Sequence, residues 1–141
     1  MAANCLADTG AILAYLDRQD PWHKLCRDAF SQLRLPLLTS TAVLAEVFHM
    51  VSNKRVEQGA VWSFLRSGSI LLGTIAAEDL PHLHMLMARY GDHPMDFADA
   101  TLVRLAERES ITRVFTVDHA DFETYRIEGR RRFTIVPATR P

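Results

Sequence analysis

The chain has 141 residues, of which 48% are hydrophobic and 23% charged, proportions typical of a soluble globular domain. Sixteen Lys and Arg against seventeen Asp and Glu leave a formal charge of −1, which excludes a polybasic nucleic-acid coat and an acidic disordered tail. A chain of this length buries enough surface to fold without disulfides or a structural metal. Because the sequence contains no internal repeat and no Ser/Gly linker, we predict a single domain over residues 1–141.

The sequence also indicates where the protein resides. It contains no apolar run of about 18 residues, so we expect no membrane span. The first four residues carry no Lys or Arg ahead of an apolar stretch that Asp8 interrupts, so we expect no secretory signal peptide. Cys5 and Cys26 lie among apolar neighbours and match no Cys-x-x-Cys motif, which favours reduced core thiols. We therefore expect a cytoplasmic protein.

Strand-like and helix-like segments alternate along the chain. Strands are predicted at residues 5–8, 36–39, 69–75, 113–117 and 132–137, the last at a sheet edge. Helices are predicted at residues 11–16, 21–33, 42–51, 58–65, 78–90 and 97–109. Such alternation implies right-handed βαβ units. The fold class is therefore predicted to be α/β, a three-layer α/β/α domain with a central, mostly parallel sheet of about five strands.

Five acidic residues occupy positions where an ordinary surface carboxylate is not expected. Asp8 and Asp118 each close a predicted parallel strand, and ligands of open α/β sheets bind beyond the carboxyl ends of the strands. Glu46 lies in mid-helix among apolar neighbours, where a carboxylate is costly unless it is paired or metal-bound. Asp96 and Asp99 are three residues apart at a helix start, on one side of the first turn.

Structural roles for these acids remain open alternatives. Asp96 suits the N-cap of its helix, and Asp99 suits the positive end of the helix dipole. Glu46 suits a salt bridge with an arginine, and Asp8 and Asp118 suit turns at strand ends. Together, however, acids that converge at one sheet edge repel each other, and a hard divalent cation with oxygen ligands relieves the repulsion. Without clustered His or Cys, the pattern favours Mg²⁺, or Mn²⁺, over Zn²⁺, and hydrolysis of a phosphodiester by metal-activated water.

Four segments, taken in order, resemble the motifs of the PIN-domain nucleases. They are Asp8 with Thr9 after an apolar strand, Glu46 in the sequence VLAEV, Asp99 in FADA, and residues 116–122 with the sequence TVDHADF. At this length the chain looks most similar to the VapC-type toxins of bacterial toxin–antitoxin pairs. The resemblance covers nearly the whole chain, and it implies a PIN-like fold.

The resemblance implies that the protein is a Mg²⁺-dependent endoribonuclease. Its catalytic, metal-binding acids would be Asp8, Glu46, Asp99 and Asp118. Asp96 is a candidate fifth metal ligand, Thr9 and Thr116 are supporting polar residues, and Asp121 is interpreted as a helix cap. The resemblance further implies an RNA substrate, a homodimer, and a small cognate antitoxin that occupies the groove near the acids.

Basic residues and histidines give weaker signals. Arg130, Arg131 and Arg132 form the one concentrated basic run, which suits phosphate contact with RNA or, alternatively, a solvated turn before the last strand. His82 and His84 are two apart on a predicted helix and face nearly opposite ways, so we predict no metal pair there. His49, one turn from Glu46, is expected to be a partly buried packing residue.

Two other functions remain in view. An aspartyl-nucleophile phosphatase is also α/β and Mg²⁺-dependent, but it needs a second Asp two residues after Asp8, and position 10 is Gly. A non-catalytic PIN-like module would bind metal or a protein partner, and retention of all four acids argues against it. Tight metal binding without nuclease activity would favour this module.

Overall fold

The computed structural model describes residues 3–51 and 56–141. The strands are β1 (Cys5–Ala7), β2 (Leu37–Thr39), β3 (Ile70–Leu72), β4 (Arg113–Phe115), β5 (Arg126–Ile127), β6 (Arg131–Arg132) and β7 (Thr134–Val136). The helices are α1 (Thr9–Leu16), α2 (His23–Gln32), α3 (Thr41–Val51), α4 (Gln58–Arg66), α5 (Leu80–Arg89), α6 (Phe97–Glu109) and α7 (His119–Thr124). No helix within these residues has the length and apolar character needed to cross a bilayer.

A parallel sheet with the strand order β3-β2-β1-β4-β7 forms the centre of the fold, and the helices flank it. The predicted α/β class, the five-stranded parallel sheet and the edge position of the last strand are therefore confirmed. β5 and β6 form a separate antiparallel hairpin that the sequence did not predict. The short helix α7 was also missed, because its six residues carry too few apolar positions to show a helical period.

The order of the strands determines where a ligand site can form. The chain passes from β1 through β2 to β3 at one edge, then returns to β4 on the other side of β1. This reversal between β1 and β4 is a topological switch point, where open α/β sheets bind ligands. Ala7 is in register with Phe115, so the residues that follow both strands, Asp8 and Thr116, emerge together at the same sheet edge.

Most predicted elements differ from the observed ones by a few residues at their ends, and three of these differences are described here. The helix predicted from residue 11 begins at Thr9, directly after Asp8 in the N-cap position. The strand predicted at 69–75 ends at Leu72. The helix predicted from residue 78 begins with a 3₁₀ turn at Ala77–Asp79, and α5 follows with a proline in its first turn, a position where the missing N–H of proline costs nothing.

The apolar core confirms the predicted packing of the central elements. All three residues of β1 are buried, as a central parallel strand requires. The apolar face of α6 is buried as predicted, at Ala98, Leu102, Leu105 and Ala106. Cys5 and Cys26 are both buried and unpaired, and burial raises the pKa of each thiol to about 12. Both are therefore unreactive core residues.

Candidate active site

A cavity of about 480 Å³ lies at the switch point between β1 and β4. We call it the acidic pocket. It is lined by Asp8, Thr9, Gly10, Ala45, Glu46, His49, Met50, Asp96, Asp99, Val117, Asp118 and Asp121. All five acids singled out in the sequence thus line one cavity, although they come from separate segments of the chain.

Each acid reaches the acidic pocket from the end or the exposed face of an element. Asp8 follows β1 and occupies the N-cap position of α1, and Asp118 occupies the N-cap position of α7 just beyond β4. Asp96 is the N-cap of α6 and Asp99 lies in the first turn of that helix. Glu46 comes from the middle of α3. The parallel sheet therefore brings strand ends and helix starts to the same place.

Two threonines bind the carboxylates of the acidic pocket. Thr116 donates a hydrogen bond of 2.8 Å from Oγ1 to Oδ2 of Asp8, and Thr116 Oγ1 in turn accepts the backbone N–H of Asp118 at 2.9 Å. Thr9 donates from Oγ1 to Oε1 of Glu46 at 2.7 Å. Both threonines, which were expected to be supporting polar residues, thus contact acids of the acidic pocket.

A buried tyrosine that was not predicted from the sequence contacts Asp99. Tyr125 donates a hydrogen bond of 2.7 Å from Oη to Oδ2 of Asp99. Its ring is fully buried and packs edge-on against Tyr90 and Phe122. From the sequence, an aromatic residue just after a short helix is expected to be a packing residue of the core. No local pattern therefore indicates that Tyr125 contacts a carboxylate of the site.

Asp96 and Asp121 were both considered as helix caps, and the structure supports this role for Asp96 alone. Asp96 accepts the backbone N–H of Asp99 at 2.8 Å, which confirms its assignment as an N-cap. Its carboxyl also lies close enough to Glu46 to raise the pKa of that residue. Asp121 was interpreted as a helix cap, and this was wrong because Asp118 occupies the N-cap position of α7. Asp121 instead lines the acidic pocket and bonds His93 Nε2 at 2.5 Å.

One histidine, His49, lies in surroundings different from those predicted. His49 is exposed and lines the acidic pocket one turn beyond Glu46, so its interpretation as a partly buried packing residue was wrong. It faces the pocket because α3 turns the same side of the helix toward both residues. His82 bonds Glu107 of α6 at 2.6 Å, and the neighbouring His84 is exposed.

The surroundings of the acids favour their neutral forms in the metal-free protein. Burial, with smaller contributions from neighbouring carboxylates, raises the pKa of Asp8 to about 7 and that of Asp99 to about 8. Burial and the adjacent Asp121 raise the pKa of Asp118 to about 6. Burial and the adjacent Asp96 also raise the pKa of Glu46. A cation in this pocket would offset both the burial and the repulsion.

The donor set fits a hard divalent cation. Carboxylates and hydroxyls supply oxygen ligands, which Mg²⁺ and Mn²⁺ prefer. Among residues 3–51 and 56–141, no three His, Cys, Asp or Glu side chains already form a group that could hold an ion. Such a closed group is not required, because Mg²⁺ keeps several waters and takes one or two carboxylates together with substrate phosphates.

The arginine run lies away from the acidic pocket. Arg131 and Arg132 form β6, and they precede Thr134, which pairs with Arg113 at the amino end of β4. The acids lie beyond the carboxyl ends of the same strands. Arg131 donates to Glu128 Oε1 at 2.7 Å within the hairpin. The structure therefore places this run next to the turn before the last strand, and RNA contact by it stays a prediction.

Comparison with known proteins assigns the chain to a family. Ribonuclease VapC26 of Mycobacterium tuberculosis (strain ATCC 25618 / H37Rv) is 30% identical over 135 residues, which cover 94% of this chain and 99% of that protein. The crystal structure of Mycobacterium tuberculosis VapC20, described as a Sarcin-Ricin loop cleaving toxin, matches the fold with a TM-score of 0.73 and 18% identity, over 97% of this chain and 99% of that one. The sequence profile of the PIN domain matches residues 5–128. This chain therefore belongs to the PIN-domain family and has a VapC-type ribonuclease as a full-length relative.

Proposed function

We propose that this chain is a divalent-metal-dependent endoribonuclease that acts as the toxin of a toxin–antitoxin pair. The observation that carries the proposal is that Asp8, Glu46, Asp99 and Asp118 line one cavity at the switch point of the sheet. The names of the relatives support the same chemistry, since one is a ribonuclease and the other a toxin that cleaves the Sarcin-Ricin loop.

The four acids would hold Mg²⁺, with Mn²⁺ as an alternative ion and Asp96 as a further candidate ligand. When bound, such an ion activates water for attack on a phosphodiester and screens the charge that develops on the phosphate. The protein's own groups orient the carboxylates. Thr116 directs one oxygen of Asp8, and Tyr125 directs one oxygen of Asp99. Fixed carboxylates need no reorganisation when substrate binds, which is the main contribution a protein makes at such a site.

The proposed partners are an RNA substrate, a small antitoxin and a second copy of the chain. The acidic pocket has an apolar rim, where Met50 is 43% exposed, and this suits an antitoxin segment that covers the acids. Leu80 and Phe97 are 50% and 46% exposed at the starts of α5 and α6 and suit a homodimer contact. We place the protein in the cytoplasm, where its RNA substrate would be.

We also retain the arginine run as an RNA-contacting region. Arg130 and Arg132 are exposed and suit phosphate contact outside the acidic pocket. Glutamine at both positions should weaken RNA binding if this assignment is right. Unchanged binding would mean that these arginines only form a solvated turn before the last strand.

The test of the proposed function is RNA cleavage by the purified chain. We expect cleavage with Mg²⁺ or Mn²⁺, none with EDTA, and none by the Asp8→Asn variant. The matched control is Asp92→Asn, which removes the same charge at an exposed position outside the acidic pocket. Expression of the chain alone should slow growth, and Asp99→Ala should relieve the effect. Tight Mn²⁺ binding without any cleavage would instead identify a non-catalytic module.

A further inference from the structure

A second cavity, of about 620 Å³, lies between the end of α1 and the start of α2. It is lined by Tyr15, Leu16, Arg18, His23 and Arg27, and we call it the basic cavity. The described residues that line it include no carboxylate. It is therefore opposite in charge to the acidic pocket.

The two arginines of the basic cavity are available to a ligand. Arg18 is exposed. Within residues 3–51 and 56–141, Arg27 forms one ion pair, at 3.6 Å to Asp28, and the two side chains are 60% and 59% exposed. An exposed pair at this distance holds its partners weakly. Two guanidinium groups around one cavity suit a phosphate, because each fork matches two phosphate oxygens.

The start of α2 adds to this preference for an anion. His23 Nδ1 lies 2.8 Å from the carbonyl oxygen of Ala14 and donates its hydrogen to it, which holds the imidazole ring against the end of α1. His23 is also the first residue of α2, and the positive end of a helix dipole favours anions. The carboxylate of Asp20 is occupied as an acceptor for the backbone N–H of Trp22 at 2.8 Å and does not line the cavity.

The basic cavity and the acidic pocket lie at the two ends of the same helix. Thr9 lines the acidic pocket and Leu16 lines the basic cavity. They are seven residues apart, so they share one face of α1 and lie about 10 Å from each other along its axis. A single extended strand of RNA can span that distance.

Electrostatics explain why a nuclease would need such a cavity. A polyanionic backbone is repelled by a pocket of carboxylates, so cationic contacts outside the pocket must supply the attraction. Proteins that bind single strands commonly use a positively charged groove that follows the backbone. We propose that the basic cavity binds a backbone phosphate of the single-stranded RNA whose cleavage we assign to the acidic pocket. This inference rests on the proposed function.

The test measures RNA binding apart from RNA cleavage. A fluorescent single-stranded RNA oligonucleotide is titrated with the full chain in EDTA, at several salt concentrations. We expect Arg18→Gln and Arg27→Gln each to weaken the Kd roughly tenfold, as loss of a hydrogen bond to a charged group does. Loss of this one phosphate contact should also reduce the slope of log K against log salt by about 0.7 in the double variant. The control is Arg66→Gln, an exposed arginine at the end of α4, which should bind like the wild type.

Variants that keep the charge separate the ligand contact from a folding defect. Lysine at positions 18 and 27 should retain the salt slope of the wild type while losing part of the affinity, because lysine lacks the guanidinium fork. Wild-type Kd and slope in the double glutamine variant would overturn the inference, as would a loss equal to that of Arg66→Gln. A wild-type chain that binds RNA but cuts none with Mg²⁺ or Mn²⁺ would overturn the proposed function instead, so the two failures are distinct.

Discussion

Tyr125 donates its hydroxyl hydrogen to Oδ2 of Asp99 across 2.7 Å, and so joins the end of α7 to the first turn of α6. The tyrosine is fully buried, and the carboxyl of Asp99 is nearly so. This hydrogen bond lowers the pKa of Asp99, although burial outweighs it and the net shift is upward. One oxygen of a candidate metal ligand is thereby fixed by a neutral donor.

Replacing Tyr125 by phenylalanine should therefore impair the site with little effect on packing. We expect Mn²⁺ affinity and RNA cleavage to fall about 10- to 100-fold, the usual effect of removing a partner that orients a metal ligand. Isothermal titration with Mn²⁺ and initial cleavage rates measure the two effects. The control is Tyr90→Phe, because the Tyr90 hydroxyl accepts the backbone N–H of Arg126 and does not line the acidic pocket. Wild-type rates in Tyr125→Phe would contradict this role.

Thr116 links two of the acids, so its hydroxyl should matter for both stability and cleavage. The Thr116→Val variant keeps the shape but leaves Oδ2 of Asp8 and the backbone N–H of Asp118 without their partner. We expect the free energy of unfolding to fall by about 1–3 kcal/mol, the cost of a buried polar group left unpaired. Urea unfolding and cleavage assays measure this, and Thr116→Ser should recover most of both losses. If serine were no better than valine, the hydroxyl would not be the cause.

The raised pKa of Asp99 predicts that its neutral form favours the stability of the metal-free protein, whereas metal binding requires its ionised form. Burial raises this pKa from 3.8 to about 8 in the folded state. The folded protein then holds the proton more tightly than the unfolded chain, so the contribution of Asp99 to stability is complete below pH 3.8 and is lost as the pH rises through 8. Without metal, Asp99→Asn should thus be more stable than the wild type at pH 8 to 9, by roughly 0.5–2 kcal/mol. The difference should shrink toward pH 5.

Added metal should make the wild type more stable than Asp99→Asn at pH 8. Mn²⁺ is expected to raise the Tm of the wild type at pH 8, because an ion that binds only the folded state stabilises it. The Tm of Asp99→Asn should respond much less, and Asp92→Asn should respond like the wild type. Equal Tm increases in all three proteins would mean that the ion does not bind through Asp99.

The acidic pocket could be predicted from the sequence because each acid has a local signature. Asp8 and Asp118 follow apolar strands, Glu46 interrupts an apolar helix face, and the parallel order of the strands brings strand ends to one edge. The supporting contacts have no such signature. The bond between Thr116 and Asp8 joins residues 108 apart in the chain, and that between Tyr125 and Asp99 joins residues 26 apart. Only the threonines were expected, through the family resemblance.

The charged residues show the same contrast: the sequence gives their number, and the structure gives their positions. The sequence alone determined the number of acids and arginines, the alternation of strands and helices, and the sheet edge at which the acids meet, because periodicity and strand ends are local properties. Only the tertiary structure decided which charges lie together. It placed the arginine run beyond the far end of the sheet and placed Arg18, His23 and Arg27 around a cavity on the helix that also lines the acidic pocket. Side chains meet through packing between distant segments, and a formal charge of −1 carries no information about that packing.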